Sequence, residues 1–112
     1  MPKVLFVDDD PNILAAYQRQ LRKRYQIDTA LAGDRGLNAV AKTGPYAVVV
    51  SDLKMPGMNG IQFLSRVREM APDTVRIMLT GFAEVQTAID AVNEGNIFRP
   101  PSFRRKGWRH HI

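Results

Sequence analysis

The run Ala47-Val48-Val49-Val50 ends in Ser51-Asp52 and breaks at Leu53-Lys54-Met55-Pro56-Gly57. Successive β-branched residues with no polar alternation describe a strand covered on both faces. Such strands belong to parallel sheets sandwiched between helices. Parallel neighbours cannot be joined by tight hairpins, so the flanking sequence has to supply crossover helices. Val4-Leu5-Phe6-Val7 forms a second apolar run, and Tyr25 to Leu31 alternates as a half-covered strand. Val75-Arg76-Ile77-Met78-Leu79 gives a fourth strand, and Ile97-Phe98 begins a fifth. Between them, apolar residues recur at helical spacing: Ile13, Leu14, Tyr17 and Leu21; Leu37, Val40 and Ala41; Ile61, Leu64 and Val67 with Phe63 beside them; Val85, Ala88, Ile89 and Val92. Pro11 suits a first helical position with Asp10 as its N-cap, and Asp34 suits the cap of the second helix. Gly44-Pro45, Ala71-Pro72 and Gly95 end the helices. Strands alternating with helices predict an α/β fold, a doubly wound parallel sheet with right-handed crossovers.

At 112 residues the chain is one domain with room for a single core. It has no cysteine, which excludes a disulfide framework and Cys-based zinc sites. No apolar stretch is long enough for a membrane span, and the N-terminus runs into a strand without the layout of a signal peptide, so the expected location is cytoplasmic. The net charge of +5 is confined to one end. Acids and bases balance over residues 1–98, and the excess comes from Arg99, Arg104, Arg105, Lys106 and Arg109. A neutral body does not call for nucleic acid as a partner.

Three strand ends carry polar residues: Asp8-Asp9 after the first, Asp52 after the third and Thr80 after the fourth. In a parallel sheet these ends share one edge, where open α/β folds bind their ligands. Carboxylates brought together there repel one another unless a cation neutralises them. A hard divalent ion with oxygen ligands answers that need, and Mg²⁺ takes one or two carboxylates with water and phosphate oxygens. A carboxylate beside such an ion is suited to accept a phosphoryl group as an acyl phosphate.

Val7-Asp8-Asp9-Asp10, the block Asp52-Leu53-Lys54-Met55-Pro56-Gly57-Met58-Asn59-Gly60, and Leu79-Thr80-Gly81 resemble the receiver domain of two-component response regulators. The resemblance covers roughly residues 3–98 and implies a flavodoxin-like, CheY-like three-layer sandwich. It implies that Asp52 accepts phosphate from a sensor histidine kinase or a phosphotransfer protein. By the same resemblance, Asp8, Asp9, Asp52 and the backbone carbonyl of Lys54 hold Mg²⁺, and Thr80 contacts the phosphoryl group and moves when it arrives. It implies a signalling domain rather than an enzyme, with an output partner or an output domain in a longer parent protein.

The end of the chain departs from that pattern. The lysine that receivers place after their fifth strand is expected near Phe103, and the aromatic switch residue near Pro100. Residues 99–112 fit neither a strand nor a helix: Pro100 and Pro101 remove sheet donors, and Gly107 interrupts any helix. The reading is a receiver over residues 1–98 followed by an atypical basic tail, with the fifth strand and helix altered or missing. Loss of the lysine removes a contact worth roughly 1.5–3 kcal/mol, which predicts slower phosphorylation with Mg²⁺ binding retained. Loss of the fifth helix predicts self-association through uncovered apolar surface. Two other classes stay in view. A haloacid-dehalogenase-type enzyme also uses a strand-end Asp, but it wants an acid where this chain has Lys54. A degenerate receiver would serve as an interaction module, its tail binding a partner or nucleic acid.

Overall fold

Consecutive residues of a strand point to opposite faces of its sheet, and in the first strand both faces are buried. Val4 and Phe6 enter one core, Leu5 and Val7 the other. The computed structural model describes residues 2–79. These residues form strands β1 (Lys3–Asp8), β2 (Gln26–Leu31), β3 (Val48–Asp52) and β4 (Val75–Leu79), interleaved with helices α1 (Pro11–Leu21), α2 (Gly33–Thr43) and α3 (Gly60–Met70). The strands are parallel in the order β2-β1-β3-β4. The winding reverses between β1 and β3. Helix α1 covers one face with Leu14, Tyr17 and Leu21 against Phe6, Val48, Val50 and Ile77. Helices α2 and α3 cover the other, with Phe63, Leu64 and Val67 against Leu5, Val49 and Met78. The result is the doubly wound, CheY-like three-layer sandwich that the sequence implies.

The central run is buried from Val48 onward: Val48, Val49, Val50 and Ser51 are each 5% exposed or less, whereas Ala47 is exposed and lies outside the strand. Removing each such apolar side chain from water contributes about 1.5–3 kcal/mol. Helix α1 starts as expected, with Pro11 first and the Asp10 carboxylate accepting the Asn12 N–H at 2.9 Å. Helix α3 starts on a reciprocal cap: Asn59 accepts the Gln62 N–H at 2.9 Å and Gln62 accepts the Asn59 N–H at 3.0 Å.

Four local expectations are corrected. Asp34 is not a cap: α2 begins two residues after Leu31 at Gly33, its N-cap is Ala32 with φ 76°, and Asp34 falls in the first turn. On the same helix Ala41 is exposed and Ala39 packs on the core with Leu37 and Val40, because the face turned inward is the one on which Gly33 and Gly36 let Met58 and Phe63 approach closely. On α3, Ile61 is 48% exposed, while Gly60, Phe63, Leu64 and Val67 are buried. Edge strand β2 is touched on both faces rather than one, since Ile27 joins the α1 core and Ala30 the α2–α3 core. Among the described residues no helix is long and apolar enough to cross a membrane. The expected fourth helix, fifth strand and basic tail, and with them Thr80, Pro100 and Phe103, lie outside the described residues.

Candidate cation-binding site

Register brings the acids together. Val7 lies opposite Ser51 in the β1–β3 ladder, so the next residues along each strand, Asp8 and Asp52, end side by side at the carboxyl edge where the winding reverses. Asp9 follows on the turn into α1. Oxygen atoms of Asp8, Asp9 and Asp52 all lie within 4.8 Å of one another. The three consecutive acids divide the work. Asp8 is 6% exposed and faces the pocket, Asp9 sits exposed at its rim, and Asp10 is turned into the helix cap.

Asp8 Oδ1 accepts the Asp10 backbone N–H at 2.9 Å, which orients the carboxylate. That bond does not offset its surroundings. Burial, then the charge of Asp52 and the neighbouring Asp9, pushes Asp8 up from 3.8 to about 6. Burial and the charge of Asp9 also raise Asp52 above the ordinary carboxylate range, opposed by the backbone N–H groups of Leu53 and Lys54 and by the Lys54 ammonium. Three hard oxygen donors converging without a counter-charge fit a small divalent cation such as Mg²⁺.

The turn after Asp52 is fixed by backbone bonds and close approaches. Leu53 N–H donates to the Leu79 carbonyl at 3.1 Å, and Gly60 N–H donates to the Leu53 carbonyl at 2.9 Å. Gly57 has φ 77°, a conformation that glycine adopts without strain. Met55 is buried, and Met58 packs where the Cβ that Gly33 lacks would lie 2.9 Å from its sulfur. The Pro-Gly block thus anchors the turn after Asp52 through Met55 and Met58, which pack in the α2–α3 core. Tyr17 is a residue that sequence reasoning placed only in the core. It lines the same small cleft as Asp8 and Asp52, with Phe6, Val50 and Leu79. Its one signal in the sequence is a hydroxyl-bearing ring in an otherwise aliphatic stripe.

A parallel, doubly wound domain with three carboxylates converging at its strand-order switch defines a flavodoxin-like module built around an acidic cation pocket. Comparison with known proteins names the family. The response regulator receiver domain model matches residues 4–97, and the chain belongs to that family, whose members are phosphoacceptor signalling domains and not catalytic enzymes. Hydrogenase transcriptional regulatory protein HoxA of Cupriavidus necator is 34% identical over 96 residues, which are 86% of this chain and 20% of HoxA. The chain therefore spans about a fifth of that relative's length. Response regulator protein TrrA of Thermotoga maritima, in complex with Mg²⁺-BeF, superposes with a TM-score of 0.67 at 29% identity, covering 92% of this chain and 90% of TrrA. A chain from the structure of histidine kinase ThkA in complex with TrrA matches with a TM-score of 0.65 at 35% identity, over 73% of this chain and 71% of that one.

Proposed function

We propose that this chain is the phosphoacceptor receiver of a histidine-to-aspartate phosphorelay, with Asp52 as the acceptor. The observation that carries the reading is the convergence of Asp8, Asp9 and Asp52 oxygens within 4.8 Å at the carboxyl edge of the sheet. Asp8, Asp9 and Asp52 hold Mg²⁺, with the Lys54 backbone carbonyl as a further ligand. When bound, the ion offsets the negative charge of the pocket and of the incoming phosphoryl group. An Asp52 carboxylate oxygen attacks the phosphorus of a phosphohistidine, a P–O bond forms, the P–N bond breaks, and the imidazole nitrogen keeps the electron pair. The backbone of Leu53 and Lys54 holds Asp52 in place while this occurs. Thr80 contacts the transferred group.

The donor is a sensor histidine kinase or a phosphotransfer protein, a reading supported by the ThkA–TrrA complex. An output partner or output domain reads the phosphorylated state in the cytoplasm. Residues 1–98 are the receiver, and residues 99–112 form the basic tail in which Phe103 stands where the family's lysine is expected. Phosphorylation is accordingly slow, and self-association accompanies the altered C-terminus.

Incubation with acetyl phosphate and Mg²⁺, followed by intact-mass measurement, tests the assignment. The wild type gains one phosphoryl group, and Asp52→Asn or removal of Mg²⁺ with a chelator abolishes the gain. An unmodified wild type, or a modified Asp52→Asn, overturns it.

A further inference from the structure

Tyr17 is a buried titratable residue for which phosphotransfer as described has no use. It is 3% exposed and its ring stacks on Phe6, with centroids 4.1 Å apart and planes at 19°. Helix α1 runs antiparallel to the strands, from the acid-bearing edge at Pro11 back toward the opposite edge at Leu21. Side chains on a helix tilt toward its N-terminus, so Tyr17 leans toward the acids and not away from them. Its ring shares one small, partly enclosed cleft with Asp8 and Asp52. The negative charges of both, after burial, raise its phenol above the ordinary tyrosine range. A buried tyrosine hydroxyl normally has a hydrogen-bond partner. Among the described residues the only polar side chains lining this cleft with it are the two carboxylates.

The geometry points to Tyr17 as a positioning residue of the cation pocket, its hydroxyl donating to one water in the cleft that in turn donates to the carboxylates of Asp8 and Asp52. The inference rests on the phosphoacceptor reading and adds to it a support that comes from the core side of the pocket. A phenol under the site holds that water in place without itself adding a ligand. It limits the rotation of buried Asp8 and half-buried Asp52 and leaves their other oxygens for the ion. Asp9, at the exposed rim, gets no such support.

Mg²⁺ titrations of the wild type, Tyr17→Phe and Tyr17→Leu test it, with binding followed calorimetrically and tyrosine absorbance recorded in parallel. Phe keeps the ring stacked on Phe6 and loses only the hydroxyl, whereas Leu also loses the ring. Loss of a partner that orients metal ligands weakens metal affinity by about tenfold or more, and both variants are expected to show about the same weakening. The wild type shows a tyrosine absorbance change that saturates with the ion. The change disappears in Tyr17→Phe and persists in Tyr46→Phe, because Tyr46 lies before β3 at the opposite edge of the sheet. Unchanged affinity in Tyr17→Phe, or a surviving absorbance change, overturns the inference while leaving the phosphoacceptor reading intact. Weakening in Tyr17→Leu alone also overturns it, since ring packing would then be the cause. A wild type that binds no Mg²⁺ overturns both.

Discussion

The backbone of Gly60 lies directly against the carbonyl oxygen of Asp52, so that a β-carbon at position 60 would overlap that oxygen and come within 3.0 Å of Leu53 Cα. Helix α3 therefore starts in contact with the candidate phosphoacceptor, and only glycine permits the approach. Gly60→Ala has to push the α3 N-terminus away from β3. We expect a loss of about 1–3 kcal/mol in urea denaturation, the usual cost of forcing atoms into a packed site. Displacing Asp52 also weakens Mg²⁺ binding, which calorimetric titration would show. A variant with wild-type stability and affinity would mean that the contact is slack.

The raised Asp8 gives a pH dependence of defined sign. In the unfolded chain Asp8 releases its proton near 3.8, and in the folded chain near 6. Between these values the folded state holds more protons, so the stabilisation from this group is complete below 3.8 and is lost as pH rises through about 6. The full span corresponds to about 3 kcal/mol. Chelator-treated protein is expected to lose stability over that window, and Asp8→Asn to lack that part of the loss. Millimolar Mg²⁺ restores stability at neutral pH in the wild type but not in Asp8→Asn. A wild type whose cation-free stability rises from acid to neutral pH as much as that of Asp8→Asn contradicts this account.

The reciprocal cap of Asn59 and Gln62 satisfies two N–H groups at the start of α3. Asn59→Ala removes one of these bonds and is expected to cost about 1 kcal/mol. Since the cap lies outside the acid cluster, the stoichiometry of Asp52 phosphorylation stays the same. Thermal melts and intact mass on the same sample separate the two effects.

At the opposite edge, the buried Tyr46 hydroxyl donates to Asp28 Oδ2 at 2.6 Å and sits 2.6 Å from Thr43 Oγ1. Burial and the Asp28 acceptor push its phenol up to about 12. Tyr46→Phe strips this hydroxyl network and should lower stability by about 1–2 kcal/mol. Mg²⁺ affinity is expected to be unaffected, which also makes this variant a control for Tyr17. A changed affinity would show that the two edges of the sheet communicate.

The elements were legible because their signals are local. Helical spacing in α1, the Asp10 cap, the unbroken apolar β3 and the stop at Ala71 each depend on a few neighbouring residues, and all appear in the structure. The misses were places where another element intervened. Asp34 looked like a cap, but the chain leaves β2 through Ala32 at positive φ and enters α2 two residues sooner. Ile61 fitted the apolar stripe of α3, yet Phe63 takes the inward place because Gly36 leaves room for its ring. Tyr17 read as core, and it is core; that its ring also borders the acids depends on how α1 lies over β1 and β3.

By itself the sequence determined that strands and helices alternate, that the sheet is parallel, and that acids stand at the ends of strands one and three. Periodicity and strand-end chemistry are written residue by residue. Only the tertiary structure decided that Val7 pairs with Ser51, and hence how closely Asp8 meets Asp52. It alone showed how near Gly60 comes to Asp52. Distances between residues more than forty positions apart follow from register and packing. These depend on how whole faces fit together, and no short stretch of sequence contains that information.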